Sequence, residues 1–310
     1  MSRIYEALQK AESERKHEPR PSFEAVDQPP ASAAVAEFDS EVQFEHPQFA
    51  VATDDQPRAS VGGLSFESIA RHPWNPSLDK LPSLLDRGPS VEQFRSLRSR
   101  LHEARDIRPI KTVLVSSGMP QEGKSFVSAN LAISLARHKN SRVLLIDGDM
   151  RRYTIHEMLG TSPSPGLADY LGGKATVQEV LQRTEEPRDQ QVVGRSVLGN
   201  LAFIPGGNGG DRAADLSGST RFGELIGAVA PLFDWIIIDS SPVLPVSDAV
   251  NLARSCDGVL LVARGGVTKY PVAQRAAAEL RASNVLGFVL NAVHEAPQVG
   301  NYYGYNAGRE

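Results

Sequence analysis

The chain has one cysteine in 310 residues, Cys256. No disulfide can form within it, and a solitary thiol suits a reducing cytosol. No extended basic block occurs, which argues against a nucleic-acid backbone as the main partner. No apolar run approaches the roughly 20 residues needed to cross a bilayer, and no secretory leader is recognisable. The expectation is a cytoplasmic protein that meets a membrane only where a partner holds it there.

The formal charge of −4 is unevenly divided: residues 1–89 carry 9 Lys and Arg against 15 Asp and Glu, the remainder 24 against 22. The acidic part opens with a short amphipathic pattern over residues 2–12, with Ile4, Leu8 and Ala11 on one face. Alone it is too short to persist in water, so it reads equally as a frayed end or a docking element. Residues 13 to about 89 then lose periodicity and fill with Pro, Ser, Ala, Glu and Asp. That is the composition of a disordered tether, expected to be dispensable for the fold of residues 90–310.

Order is expected from Ser90, a candidate N-cap, where Val91, Phe94, Leu97 and Leu101 form an apolar helical stripe. Glu92, Arg95 and Arg98 recur beside it at three-residue spacing. From Pro109 strand-like and helical patterns alternate. Apolar runs at 112–115, 143–146, 235–238, 259–262 and 288–290 read as strands buried on both faces of a parallel sheet, and a further run at 200–205 reads as an additional strand, at an edge or within the sheet. Helical segments at 125–137, 221–232, 247–254 and 272–282 separate them. This is the pattern of a doubly wound, mostly parallel α/β domain over residues 90–295 with helices on both faces. The glycine-rich stretch 206–211 reads as a mobile connection.

The first strand runs into Gly118-Met119-Pro120-Gln121-Glu122-Gly123-Lys124-Ser125, followed by the helical pattern beginning at Phe126. Glycines at these positions let backbone N–H groups curl around a phosphate, and the next helix presents its positive end. In such a loop Lys124 neutralises phosphate oxygens and the Ser125 hydroxyl is placed for Mg²⁺, so an ATP-type nucleotide is expected. Lys124 is expected to be exposed. Asp147 and Asp149 end the second strand and precede Arg151; Asp239 ends another. In a parallel sheet these ends share the loop's edge, so three carboxylates are expected to converge on one Mg²⁺–nucleotide, a second acidic pair beyond what an ordinary ATPase needs. Asn291, ending the last strand, is a candidate for contacting the base, or equally a helix cap. Tyr302, Tyr303 and Tyr305 crowd into the glycine- and asparagine-rich end of the chain, residues 296–310, where a flexible tail is expected.

These motifs resemble the bacterial tyrosine kinase family, the autokinases of capsule and exopolysaccharide export. The resemblance covers about residues 90–310. It rests on the Pro120-Gln-Glu-Gly-Lys-Ser125 loop, Asp147-Gly-Asp149-Met-Arg151, Ile236-Ile-Ile-Asp239-Ser-Ser-Pro242 with Val246-Ser-Asp248, and the tyrosine-rich end. It implies a P-loop NTPase fold and ATP-dependent transfer to the chain's own tail tyrosines and to other protein tyrosines. Lys124 and the loop would hold phosphates, while Ser125, Asp147 and Asp239 would hold Mg²⁺. Asp147 or Asp149 would accept the tyrosine proton, and Arg151 would stabilise transferred charge or support a subunit contact. Glu92, Arg95 and Arg98 match the family's Glu-x-x-Arg-x-x-Arg oligomerisation pattern, which implies a homo-oligomeric ring and transfer between subunits. The first eight residues are similar to members that stand apart from a membrane-spanning activator, here the expected partner. Two rivals are kept: a membrane-positioning or partitioning ATPase, whose loop carries lysine where this chain has Met119, and a regulatory subunit with a structural nucleotide.

Overall fold

Six short runs of mostly β-branched and aliphatic residues, joined by two shorter polar ones, assemble into one sheet because the apolar side chains leave water. In the computed structural model, which describes residues 63–138, 141–185 and 195–293, the strands are β1 (Arg71–His72), β2 (Thr112–Ser117), β3 (Val143–Asp147), β4 (Gln182–Thr184), β5 (Leu201–Ile204), β6 (Trp235–Asp239), β7 (Gly258–Arg264) and β8 (Val285–Asn291). Their order is β1-β4-β5-β3-β6-β2-β7-β8. All neighbours pair in parallel except β4 with β5. The expected 2–12 helix and the tail tyrosines lie outside the described residues.

Alternation along the strands divides the core. Val113 and Val115 face one cluster with Leu145, Phe203 and Ile237; Leu114 faces the other with Ile146, Ile204 and Ile238. Helices α1 (Pro89–Ile107) and α2 (Lys124–Ala136) cover the first face. Helices Arg221–Val229, Asp248–Ala253 and Tyr270–Glu279 cover the second. The chain moves one way along the sheet from β2 to β3 and the other way from β5 through β8, so right-handed crossovers put the helices on opposite faces. That reversal makes the fold doubly wound, with the ends of β2, β6 and β3 side by side.

The start of α1 differs slightly from expectation. Pro89 occupies its first turn and Gly88 the cap position, so Ser90 lies inside the helix.

A larger correction concerns the expected tether. Residues 63–89 are a strap built into the core. Leu64, Phe66 and Ile69 pack on one face of the sheet and Trp74, Leu81 and Leu84 on the other, with β1 turning around the edge between them. The strap is pinned throughout. Arg183 donates to the Phe66 carbonyl at 2.9 Å and stacks over its ring. The Trp74 indole donates to Gln182 Oε1 at 3.2 Å and meets Phe203 edge-on. The Asn130 side chain accepts from Ser83 N–H at 3.0 Å and donates to the Lys80 carbonyl at 3.1 Å. The burial was hidden because these apolar residues follow no helical or strand period.

If the strap is part of the cooperative unit, Trp74→Ala removes a buried indole and should destabilise the fold by about 3–5 kcal/mol. Denaturant unfolding followed at Trp235 measures this, and an unchanged midpoint would return the strap to the status of tether.

Candidate nucleotide site

The phosphate loop is shaped by two left-handed residues, Gln121 at φ 64° and Gly123 at φ 93°. Gly123 is required: a Cβ there would collide with the Asn291 side-chain amide. Beyond it, α2 begins at Lys124, so the unpaired N–H groups of its first turn face the loop. Met119 and Pro120 are exposed, whereas Glu122 is buried. The Phe126 ring packs against Phe94 of α1 with centroids 5.8 Å apart.

The register of the sheet sets Asp147 directly opposite Asp239. Ser125 Oγ donates to Asp239 Oδ2 at 2.6 Å, and Ser128 Oγ lies 3.1 Å from Oδ1. Lys124 Nζ pairs with Asp149 Oδ2 at 2.9 Å; its side chain is only 13% exposed and that of Asp149 3%. The expected exposed lysine is therefore a nearly buried one. Burial works against its ammonium, but the charges of Asp239 and Asp149 outweigh this and hold its pKa above the usual lysine range. Burial, then the charge of Asp239, pushes the Asp147 carboxyl well above the usual carboxylate range. Burial also raises that of Asp239, against the pull of Lys124 and the Ser125 hydroxyl.

Asp147 has a second task. Its carboxylate accepts from the backbone N–H groups of Asp149, Thr154 and Ile155 at 3.1–3.2 Å, which folds the chain back into the helix Ile155–Leu159. The strand ends bring Asp147, Asp149 and Asp239 around Lys124, although among the described residues no three acidic, His or Cys side chains are grouped to hold a metal ion by themselves. Ser125 and Asp239, in contact beside the loop, fit an ion whose remaining ligands come from a phosphate chain and water.

Other expected residues are placed as follows. Arg151 forms a fork with buried Asp248, at 2.7 and 3.3 Å, and this partner raises its pKa. Asn291 donates to the Glu122 carbonyl at 3.0 Å, bracing the loop. Glu92 and Arg95 are exposed and paired to each other at 2.5 Å. Arg98 instead turns inward and donates to the Ser134 carbonyl at 2.7 Å. Gly206 and Gly209 of the stretch 206–211 are close packing contacts, in contrast to the mobile connection expected. A Cβ at Gly206 would lie 2.6 Å from Tyr153 Cβ, and one at Gly209 2.9 Å from Met150 Cβ. Sequence reasoning missed Arg264, the last residue of β7, and Thr268 in the turn after it, which reach the loop. A shallow recess of about 430 Å³ lined by Tyr170, Lys174, Thr176 and Arg221 shares no residue with this cluster.

A parallel sheet with a glycine-shaped phosphate loop between acidic strand ends defines a P-loop nucleotide-binding protein. No family model matches the chain, but individual proteins do. The tyrosine-protein kinase wzc of Salmonella typhimurium is 33% identical over 219 residues, 70% of this chain and 28% of that protein. The tyrosine-protein kinase CpsD of Streptococcus agalactiae is 30% identical over 222 residues, 71% of this chain and 90% of that one. Among solved structures, the kinase domain of the Escherichia coli tyrosine kinase ETK superposes with a TM-score of 0.60 at 31% identity, over 69% of this chain and 80% of that domain. The chain belongs to the bacterial tyrosine kinase family. It spans little more than a quarter of the length of the Salmonella relative.

The buried ion pair predicts a stability effect in the nucleotide-free protein. Lys124→Met leaves Asp149 buried without its cation and should cost about 3 kcal/mol by chemical denaturation. Asp149→Asn in the same chain should recover most of that loss; a single mutant as stable as the parent would contradict the pairing.

Proposed function

We propose that the chain is an ATP-dependent protein-tyrosine kinase whose first substrate is its own end, at Tyr302, Tyr303 and Tyr305. The observation that carries this is the contact of Lys124 with Asp149 beside Asp147, a second acidic pair held against the phosphate-loop lysine. The backbone of Gly118–Phe126 and Lys124 hold the phosphates, and Ser125 and Asp239, with Asp147 behind them, hold Mg²⁺. When bound, the magnesium nucleotide supplies the transferable phosphoryl group and neutralises its developing charge. Lys124 orients that group, and Asp147 or Asp149 accepts the proton of the incoming tyrosine hydroxyl. Arg151, tied to Asp248, steadies the acidic loop.

The reading extends to assembly. Glu92 and Arg95, paired to each other on the exposed side of α1, can exchange that pairing for complementary groups on an adjacent copy, and a head-to-tail contact of this kind closes into a ring. From Val293 to Tyr303 an extended chain reaches roughly 33–36 Å, enough for its own or a neighbour's site. The ring favours transfer between subunits. Each phosphate adds about 1.5 to 2 negative charges, so a modified tail is repelled by the acidic site and the ring disperses. A membrane-spanning activator recruits the chain to the inner face of the membrane, and the cycle regulates exopolysaccharide or capsule export. No helix among the described residues is long and apolar enough to cross a membrane. A positioning ATPase is disfavoured by Met119 and by the likeness to tyrosine kinases.

Incubation with ATP and Mg²⁺ should give phosphotyrosine mapped to the three tail positions. In a mixture of Lys124→Met protein with active protein lacking those tyrosines, label should appear on the inactive chain. Glu92→Ala with Arg95→Ala should suppress it. Absence of phosphotyrosine from wild-type protein would remove the kinase reading, and label on neither partner of the mixture would restrict transfer to one chain.

A further inference from the structure

The phosphate loop is held from behind by a closed hydrogen-bond network that extends beyond the nucleotide-binding motif. Glu122 is 4% exposed and both its carboxylate oxygens are used. Oε2 accepts from Met119 N–H at 2.8 Å, which closes the loop on itself. Oε1 accepts from the Thr268 hydroxyl. That hydroxyl in turn accepts from Arg264 N–H at 2.8 Å, so its proton is directed at Glu122. Arg264 ends β7 and Thr268 lies in the turn that leaves it, and this turn is tied to the end of β8 by Gly265 N–H donating to the Asn291 carbonyl at 2.7 Å. Asn291 then returns to the loop, its amide donating to the Glu122 carbonyl at 3.0 Å.

We propose that Thr268, acting through Glu122, is a positioning residue for the phosphate loop, setting the nucleotide affinity of the site without touching the nucleotide. This rests on the loop's being the nucleotide site. The physical reason is the backbone of Gln121, which is left-handed without being glycine. Such a conformation persists only where surrounding bonds over-determine it. The Glu122 carboxylate holds Met119 N–H and the Asn291 amide holds the Glu122 carbonyl, so the segment around Gln121 is clamped at both ends, and Thr268 fixes the clamp to the sheet. Without the hydroxyl, the buried carboxylate loses one of its two partners and turns away, and Met119 N–H is released with it. The loop then samples shapes in which its N–H groups no longer converge, and binding energy shared by ground and transition states is lost.

The test uses the full chain and the fluorescent nucleotide mant-ADP with Mg²⁺. Thr268→Val, of nearly equal volume, should weaken binding about tenfold, as expected for one hydrogen bond to a buried charged group. KM for ATP should rise by a similar factor, with kcat within about threefold of wild type. Thr268→Ser restores the hydroxyl and should bind within about twofold of wild type. Glu122→Gln combined with Thr268→Val should weaken binding by much less than the product of the single effects, because both act through one clamp. Wild-type affinity in Thr268→Val, equal losses in the Val and Ser variants, or fully multiplicative losses would each overturn the proposal. Lys124→Met separates this from the premise: if Lys124→Met abolishes binding while Thr268→Val leaves it intact, the site stands and the clamp falls. Wild-type binding by Lys124→Met would overturn both.

Discussion

One lysine among three buried carboxylates is the constraint around which the site is arranged. Lys124 touches Asp149 and feels Asp239 and Asp147, so the cluster carries more negative than positive charge in a place with little water. Such an imbalance is costly in a folded core and is relieved by a bound cation. The fold accepts this cost only because its strand ends leave no alternative positions: the pairing of β3 with β6 sets Asp147 against Asp239, and α2 brings Lys124 and Ser125 up to them. Parallel pairing, the right-handed crossover and the glycine-shaped loop all serve that convergence.

Much of this could be read from the sequence, for a physical reason. β2, β3, β6 and β7 are nearly continuous apolar runs because both faces of the sheet are covered. The loop, Lys124, Ser125, Asp147, Asp149 and Asp239 follow such runs at once, so their place on one edge could be inferred from strand direction alone.

What escaped was whatever depends on partners distant in the chain. β4 reads Gln-Arg-Thr, with no apolar signal; Gln182 and Arg183 are buried only because Trp74, Thr161, Phe66 and Gly199 satisfy them. The strap 63–89 has a tether's composition, yet six of its apolar side chains fill gaps on two faces. The fork of Arg151 with Asp248 and the reach of Thr268 to Glu122 each join residues about a hundred positions apart or more. No periodicity encodes such contacts.

The two margins of the sheet have a consequence for how copies of the chain can meet. β1 is only two residues long, too short to template another strand. β8 offers a longer margin, but its pairing with β7 slips in register near Val259, and Gly287 within it sits at φ 155°. An irregular outer strand is a poor mould for a newcomer's backbone. The sheet is thereby guarded against runaway, amyloid-like extension, and association is left to side-chain surfaces, where charge and shape can choose the partner.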